Sequence, residues 1–391
     1  MRLLCGFIFI LALSLNALPQ NITVGAARTN EYINTIRNKT IAIVANHTST
    51  INNTHLVDSL LSLGVKIGAI FSPEHGFRGT ADAGEHVENY IDEKTKIPVI
   101  SLYGNNQKPK KENLNGIQFV IFDIQDVGVR FYTYITTMHY VMEACANEDI
   151  SFIVLDRPNP NGYYVDGPVL DMKFKSFVGK HPVPLVHGMT VGEYAQMINE
   201  EGWLENGKKC KLLVIKCDGY KHKMHYKLPI KPSPNLPNER AIDLYPTLGL
   251  FEGTVISCGR GTDFPFQAIG HPEYKDKTFS FKPRSIPGAC KMPPFLGETC
   301  YGIDLRKDSP LFSLVPGQLN INLIIQAYNN TGLKDKQQFF NAFFTKLAGT
   351  DKLETQIKNS IPEDKIRENW KPDIDKFKII RKKYLLYEDF E

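Results

Sequence analysis

The chain has 391 residues, 42% of them apolar and 23% charged, with a formal charge of +4. That length makes one large or two ordinary domains with ample core, and the composition is that of a soluble globular protein. Its lysine-rich segments, Lys108 to Lys111 and Arg381 to Lys383, are short and scattered. A nucleic-acid binder concentrates such charge on one face, so that class is set aside.

Met1-Arg2, the apolar run Leu3 to Leu13 and the small and polar residues up to Gln20 have the build of a signal peptide, residues 1–19, with cleavage near Ala17. The run is too short for a membrane anchor and no later run reaches spanning length. A periplasmic or secreted protein, without a membrane span once the signal is removed, is expected. Beyond the signal lie Cys145, Cys210, Cys217, Cys258, Cys290 and Cys300. An oxidising compartment permits bridges, with Cys290–Cys300 and Cys210–Cys217 closest in sequence, against buried free thiols as the competing reading. No CxxC pairing marks a zinc site.

Apolar runs at Ile41 to Ala45, Lys66 to Phe71, Pro98 to Leu102, Phe119 to Ile124 and Phe152 to Leu155 read as strands. Helices are expected at about 54–63 and over Tyr134 to Asn147. Strands that are apolar throughout, rather than alternating, are buried on both faces, which predicts a parallel sheet. The fold class is therefore α/β: a Rossmann-like, doubly wound, mostly parallel sheet over residues 20–240, then a smaller α+β domain over 241–391. No GxGxxG follows the first strand, so no nucleotide is implied. Thr190 and Glu193 form a capping box that opens a helix to Glu201. The Pro-rich stretch Leu228 to Pro237 is a domain junction or a rigid cleft wall, and further helices fall at about 318–329 and 334–348.

Charged clusters follow the strands. Glu74, His75 and Arg78 sit in a Pro/Gly-punctuated turn after the second strand. Asp123, Asp126, Arg130 and Tyr132 follow the fourth, and Asp156, Arg157 and Asn159 the fifth. His187 precedes a helix start and Arg260 lies on a glycine-rich loop. In open α/β sheets ligands bind beyond the carboxyl ends of the strands, so the placement suits a site. Paired carboxylates in a polar cleft suit acid/base work on a glycosidic bond, with arginines and aromatics holding an anionic sugar. Each residue also has a structural reading, as an ion pair, turn residue or cap. A metal site built from Glu74, His75, Asp123 and Asp126 competes, but lacks ligand spacing such as HExxH. No GxSxG elbow supports a serine hydrolase.

Together these stretches resemble the NamZ-type exo-β-N-acetylmuramidases, a glycoside hydrolase family. The carriers are SPEHGFRG (72–79), FDIQDVGVRFYTY (122–134), DRPNPNG (156–162), VDGP (165–168), VHGMTVGEYA (186–195), PSPNLP (232–237), YPTLGLFEGT (245–254) and GRGTDFPFQAIG (259–270). The resemblance implies a Rossmann-like domain and a smaller C-terminal one with the cleft between them. It implies release of terminal N-acetylmuramic acid (MurNAc) from the non-reducing end of peptidoglycan-derived MurNAc-GlcNAc saccharides, without a cofactor. Carried over by motif, Glu74 is the catalytic acid, with Asp126 and Tyr132 as the other catalytic candidates. His75, Arg78, Asp123, Arg130, Asp156, Asn159 and His187 would bind substrate. Arg260 would face the lactyl carboxylate, since a fork-shaped cation fits a planar anion. The second catalytic group stays open between a carboxylate, a tyrosine and the substrate's own acetamido group. A muropeptide-binding protein without catalysis is the alternative of a different class.

Overall fold

The computed structural model describes residues 22–78, 88–308 and 312–391. The signal-peptide reading of residues 1–19 lies outside them. The central sheet contains β1 (Thr40–Ala45), β2 (Lys66–Ser72), β3 (Tyr90–Ile91), β4 (Pro98–Ser101), β5 (Phe119–Asp123), β6 (Ser151–Leu155) and β7 (Lys211–Ile215). Its order is β3-β4-β2-β1-β5-β6-β7. Every pair is parallel except β3 with β4. With the short edge strand β3 set aside, the parallel strands run 3-2-1-4-5-6 in order of appearance, as in Rossmann-like folds. The connections therefore reverse direction between β1 and β5.

The apolar runs become strands because both sheet faces are covered. Ile41, Ile43 and Ala45 pack with Leu56, Val57 and Leu60 of α1 (Leu56–Ser62). Ala42, Val44, Val120 and Phe122 face the other way, toward α2 (Tyr134–Asn147) and α3 (Val191–Glu200). Helix α3 opens on the expected capping box. β7 escaped sequence reading because it is an edge strand in which exposed and half-buried positions alternate, with only Ile215 buried.

The second half begins with α4 (Glu239–Leu248), capped by the Asn238 side chain, which accepts the Ala241 N–H at 3.0 Å. It continues through a small antiparallel sheet of β8 (Ala268–His271), β9 (Phe279–Phe281) and β10 (Cys300–Asp304), with β10 central. Helices α5 (Ile321–Asn330), α6 (Phe343–Ala348), α7 (Lys352–Lys358) and α8 (Glu363–Arg381) follow. The helix expected over 334–348 is broken: a 3-10 turn, Lys336–Phe339, precedes α6. Asp335 and Asn341 each accept a backbone N–H two residues on and restart the chain. Helix α8 was hidden by Pro372 and dense charge, yet Ile366, Trp370, Ile374 and Phe377 form a buried stripe along it.

One apolar core runs through both halves. The C-terminal tail also returns to helix α3, where Leu386 N–H donates to Glu193 at 2.8 Å. Neither sequence-adjacent cysteine pair is bridged, and Cys145, Cys210, Cys217, Cys258 and Cys300 are buried thiols.

Candidate active site

Strand β2 delivers Glu74 two residues past its end. There the chain turns back on itself through His75 (φ 70°) and Gly76 (φ 76°), closed by Gly76 N–H to Pro73 O at 3.1 Å. A left-handed histidine is strained, and such strain persists only where surrounding structure holds it. The neighbouring strand end is in register: Ser72 pairs with Ser101, and Leu102 N–H donates to Ser72 O at 2.8 Å. Tyr103 therefore arrives beside Glu74, and burial and the Glu74 carboxylate together push its phenol above the usual range. From the start of α2, Thr133 Oγ1 donates to Glu74 Oε2 at 3.2 Å.

These residues line a cavity of about 420 Å³ together with Tyr245, Glu252 and Arg260. A narrower recess of about 60 Å³ opens beside it, lined by His75, Tyr132 and Tyr134 and closed by Ser233 and Asn235. The Pro-rich stretch is therefore a cleft wall. A separate cleft of about 430 Å³ lies beyond Leu236, lined by Pro160, Lys227 and Asp243. It holds none of the motif carboxylates, and the chemistry favours the Glu74 cavity.

Arg260 rides between Gly259 and Gly261, both at positive φ, which lets the loop turn sharply enough to aim the guanidinium inward. Its Nε donates to Glu252 Oε1 at 2.7 Å and the group lies 4.9 Å over Phe266. Burial alone would lower its pKa, but Glu252 more than offsets that and raises it, so it stays a cation. Nη1 is buried without a hydrogen-bond partner among the described residues.

Of the residues carried over by motif, Glu74, His75, Tyr132 and Arg260 come together at this cleft. The Tyr132 hydroxyl, however, donates to Pro232 O at 2.9 Å and is raised far above its ordinary pKa by burial. It braces the wall and is a poor nucleophile. Asp126 lies outside the cavity lining, with Oδ1 accepting Gly128 N–H at 2.6 Å.

The other motif residues lie outside the cavity lining, each with polar atoms bonded within the fold, although Arg130 Nε and His187 Nε2 are buried without a hydrogen-bond partner among the described residues. Asp123 is fully buried in a bidentate pair with Arg157, at 2.6 and 2.9 Å. Asp156 accepts from Gly192 N–H at 2.8 Å, Thr190 Oγ1 at 2.7 Å and the Tyr387 hydroxyl at 2.5 Å. Arg130 donates to the carbonyls of Pro168, Val183, Leu347 and Ala348, tying the first half to α6. Asn159 Nδ2 donates to Met189 O at 2.9 Å and Oδ1 accepts Asn161 N–H. His187 Nδ1 accepts Met189 N–H, and burial next to Arg381 and Arg130 pushes it down to about 3, so it is neutral. Arg78 is spent on Asp92, with contacts of 3.0 and 2.9 Å. Among the described residues no group of three or more His, Cys, Asp or Glu side chains is arranged to hold a metal.

Sequence reasoning passed over Thr133, Tyr103, Tyr245 and Glu252. Thr133 and Glu252 lie inside quoted motifs, where FYTY and FEGT were the available signals. Tyr103 has none, because only the β2–β4 register brings it to Glu74.

Fold and cleft together define an open α/β protein with a carboxyl group and a guanidinium facing one cavity at the strand ends. Models of the N-terminal and C-terminal parts of the exo-beta-N-acetylmuramidase NamZ match residues 41–240 and 243–387. The chain belongs to that family. It is 40% identical over 377 residues to the peptidoglycan beta-N-acetylmuramidase NamZ of Bacillus subtilis, covering 91% of this chain and 89% of that one. The crystal structure of a DUF1343 family protein from Bacteroides fragilis matches with a TM-score of 0.86 and 48% identity, covering 94% of this chain and 99% of that one. A second such protein from the same organism matches at 0.77 and 28%, covering 94% and 100%.

Proposed function

We propose that this protein is an exo-acting glycosidase that removes a terminal N-acetylmuramic acid residue from the non-reducing end of peptidoglycan fragments. The observation that carries the reading is the meeting of Glu74 and the Arg260 side chain in the lining of one cavity of sugar size. Glu74 acts as general acid: its proton passes to the glycosidic oxygen as the bond to the anomeric carbon breaks, and water completes the hydrolysis. Arg260, steadied by Glu252, takes the lactyl carboxylate that distinguishes this sugar from N-acetylglucosamine. The aromatic rings of Tyr245 and Phe131 supply apolar walls for a sugar face. Family membership and the activity named for the Bacillus subtilis relative support the same reading.

The test is hydrolysis of MurNAc-GlcNAc by the wild type and by Glu74→Gln, which keeps an acceptor for Thr133 but has no proton to give. The variant should lose roughly 10²- to 10⁴-fold in kcat. Full activity in the variant would remove Glu74 from this role, and saccharide binding without turnover by the wild type would favour a binding protein. We also propose that the protein works in the periplasm or outside the cell, in cell-wall turnover. N-terminal sequencing of the mature chain should then begin near residue 18; an intact Met1 in an exported fraction would contradict cleavage.

A further inference from the structure

Thr133 is the N-cap residue of α2, yet its side chain makes no cap hydrogen bond. Its backbone is already helical (φ −76°, ψ −4°), not in the extended geometry from which an N-cap side chain accepts an N–H of the first turn. Here the hydroxyl turns away and donates to Glu74 Oε2, 59 residues distant in sequence. Its backbone carbonyl still accepts Thr137 N–H at 3.1 Å, so the helix starts without help from the side chain. Thr133 lines both the cavity and the recess, as does Glu74. On the other flank Tyr103 makes a contact to the same carboxylate.

We propose that Thr133 is a positioning residue for Glu74, its hydroxyl fixing the orientation of the acid. As the Glu74 proton moves to the glycosidic oxygen and the C–O bond breaks, negative charge grows on the carboxyl and the Thr133 hydrogen bond strengthens. The inference rests on Glu74 being the acid. It adds a consequence that a purely structural threonine would lack. The benefit scales with how much protonation the leaving group needs.

The experiment compares Thr133→Val, Thr133→Ser and Glu74→Gln on two substrates. One is the MurNAc-GlcNAc disaccharide, whose sugar alkoxide is a poor leaving group. The other is a 4-nitrophenyl β-N-acetylmuraminide, whose phenolate leaves with little help. Thr133→Val should lower kcat on the disaccharide roughly 10- to 100-fold while the aryl glycoside loses less than about threefold, with KM little changed. Thr133→Ser should recover most of the disaccharide rate. Equal losses on both substrates, or a serine variant as impaired as valine, would overturn the proposal. Glu74→Gln separates the two ideas. Its own selective loss on the disaccharide upholds the acid reading whatever Thr133 does, and its full activity would overturn both.

Discussion

At the scale of single residues, Asp126 shows what burial does to an acid. Its Oδ1 accepts the Gly128 N–H, while Oδ2 has no hydrogen-bond partner among the described residues. Burial pushes its pKa up to about 7, against the opposing pull of the Gly128 and Val127 N–H groups. In the unfolded chain the same group ionises near about 3.9. Between those values the native state holds the proton that the unfolded state releases, so stability falls as pH rises through that window. Above the window the whole cost is present. Asp126→Asn keeps the acceptor for Gly128 and removes the charge. It should raise stability by about 4 kcal/mol at pH 8 and leave it nearly unchanged at pH 4, as read by urea denaturation at the two values. An equal effect at both would contradict the burial account. The same physics separates the motif residues. Asp123 and Asp156 read as site carboxylates in sequence because they follow strands. Their roles became visible only when Arg157, Thr190, Gly192 and Tyr387 appeared around them.

At the scale of elements, α3 was legible because its start signal is local. Thr190 Oγ1 accepts Glu193 N–H at 3.3 Å, and Glu193 answers by accepting Thr190 N–H at 2.9 Å. What the capping box hides is that the same hydroxyl donates to Asp156 Oδ2 at 2.7 Å. Thr190→Ala therefore removes a cap and strips a fully buried carboxylate of one donor. The combined cost should be roughly 2–3 kcal/mol, measured as a shift of the urea midpoint without a change in slope. A cost near zero would show that the Asp156 network closes without this hydroxyl. Strands β1, β2, β4, β5 and β6 were likewise legible, because two covered faces demand an unbroken apolar run. Helix α8 was not, since its four buried anchors are diluted among charges and interrupted by Pro372. Its worth comes from what it touches: Arg381 donates to Gly188 O at 3.0 and 2.7 Å and pairs with Asp389.

At the scale of the whole molecule, distant segments meet because the sheet order 3-2-1-4-5-6 gathers strand ends that are far apart in sequence. Glu74 follows β2, Tyr103 follows β4, Thr133 opens the helix after β5, and Arg260 comes from the second half. The tail closes the assembly, with Tyr387 on Asp156, Leu386 on Glu193 and the Glu388 carbonyl on His222 N–H. By itself the sequence determined the α/β class, the parallel strands, the capping box and the motifs that carry the family resemblance. These depend on apolar periodicity and residue type within a few positions. Only the tertiary structure decided which charges face the cavity and which are spent inside the fold. A carboxylate's role depends on the donors that reach it, and those donors arrive through strand register and packing from 34 to 231 residues away.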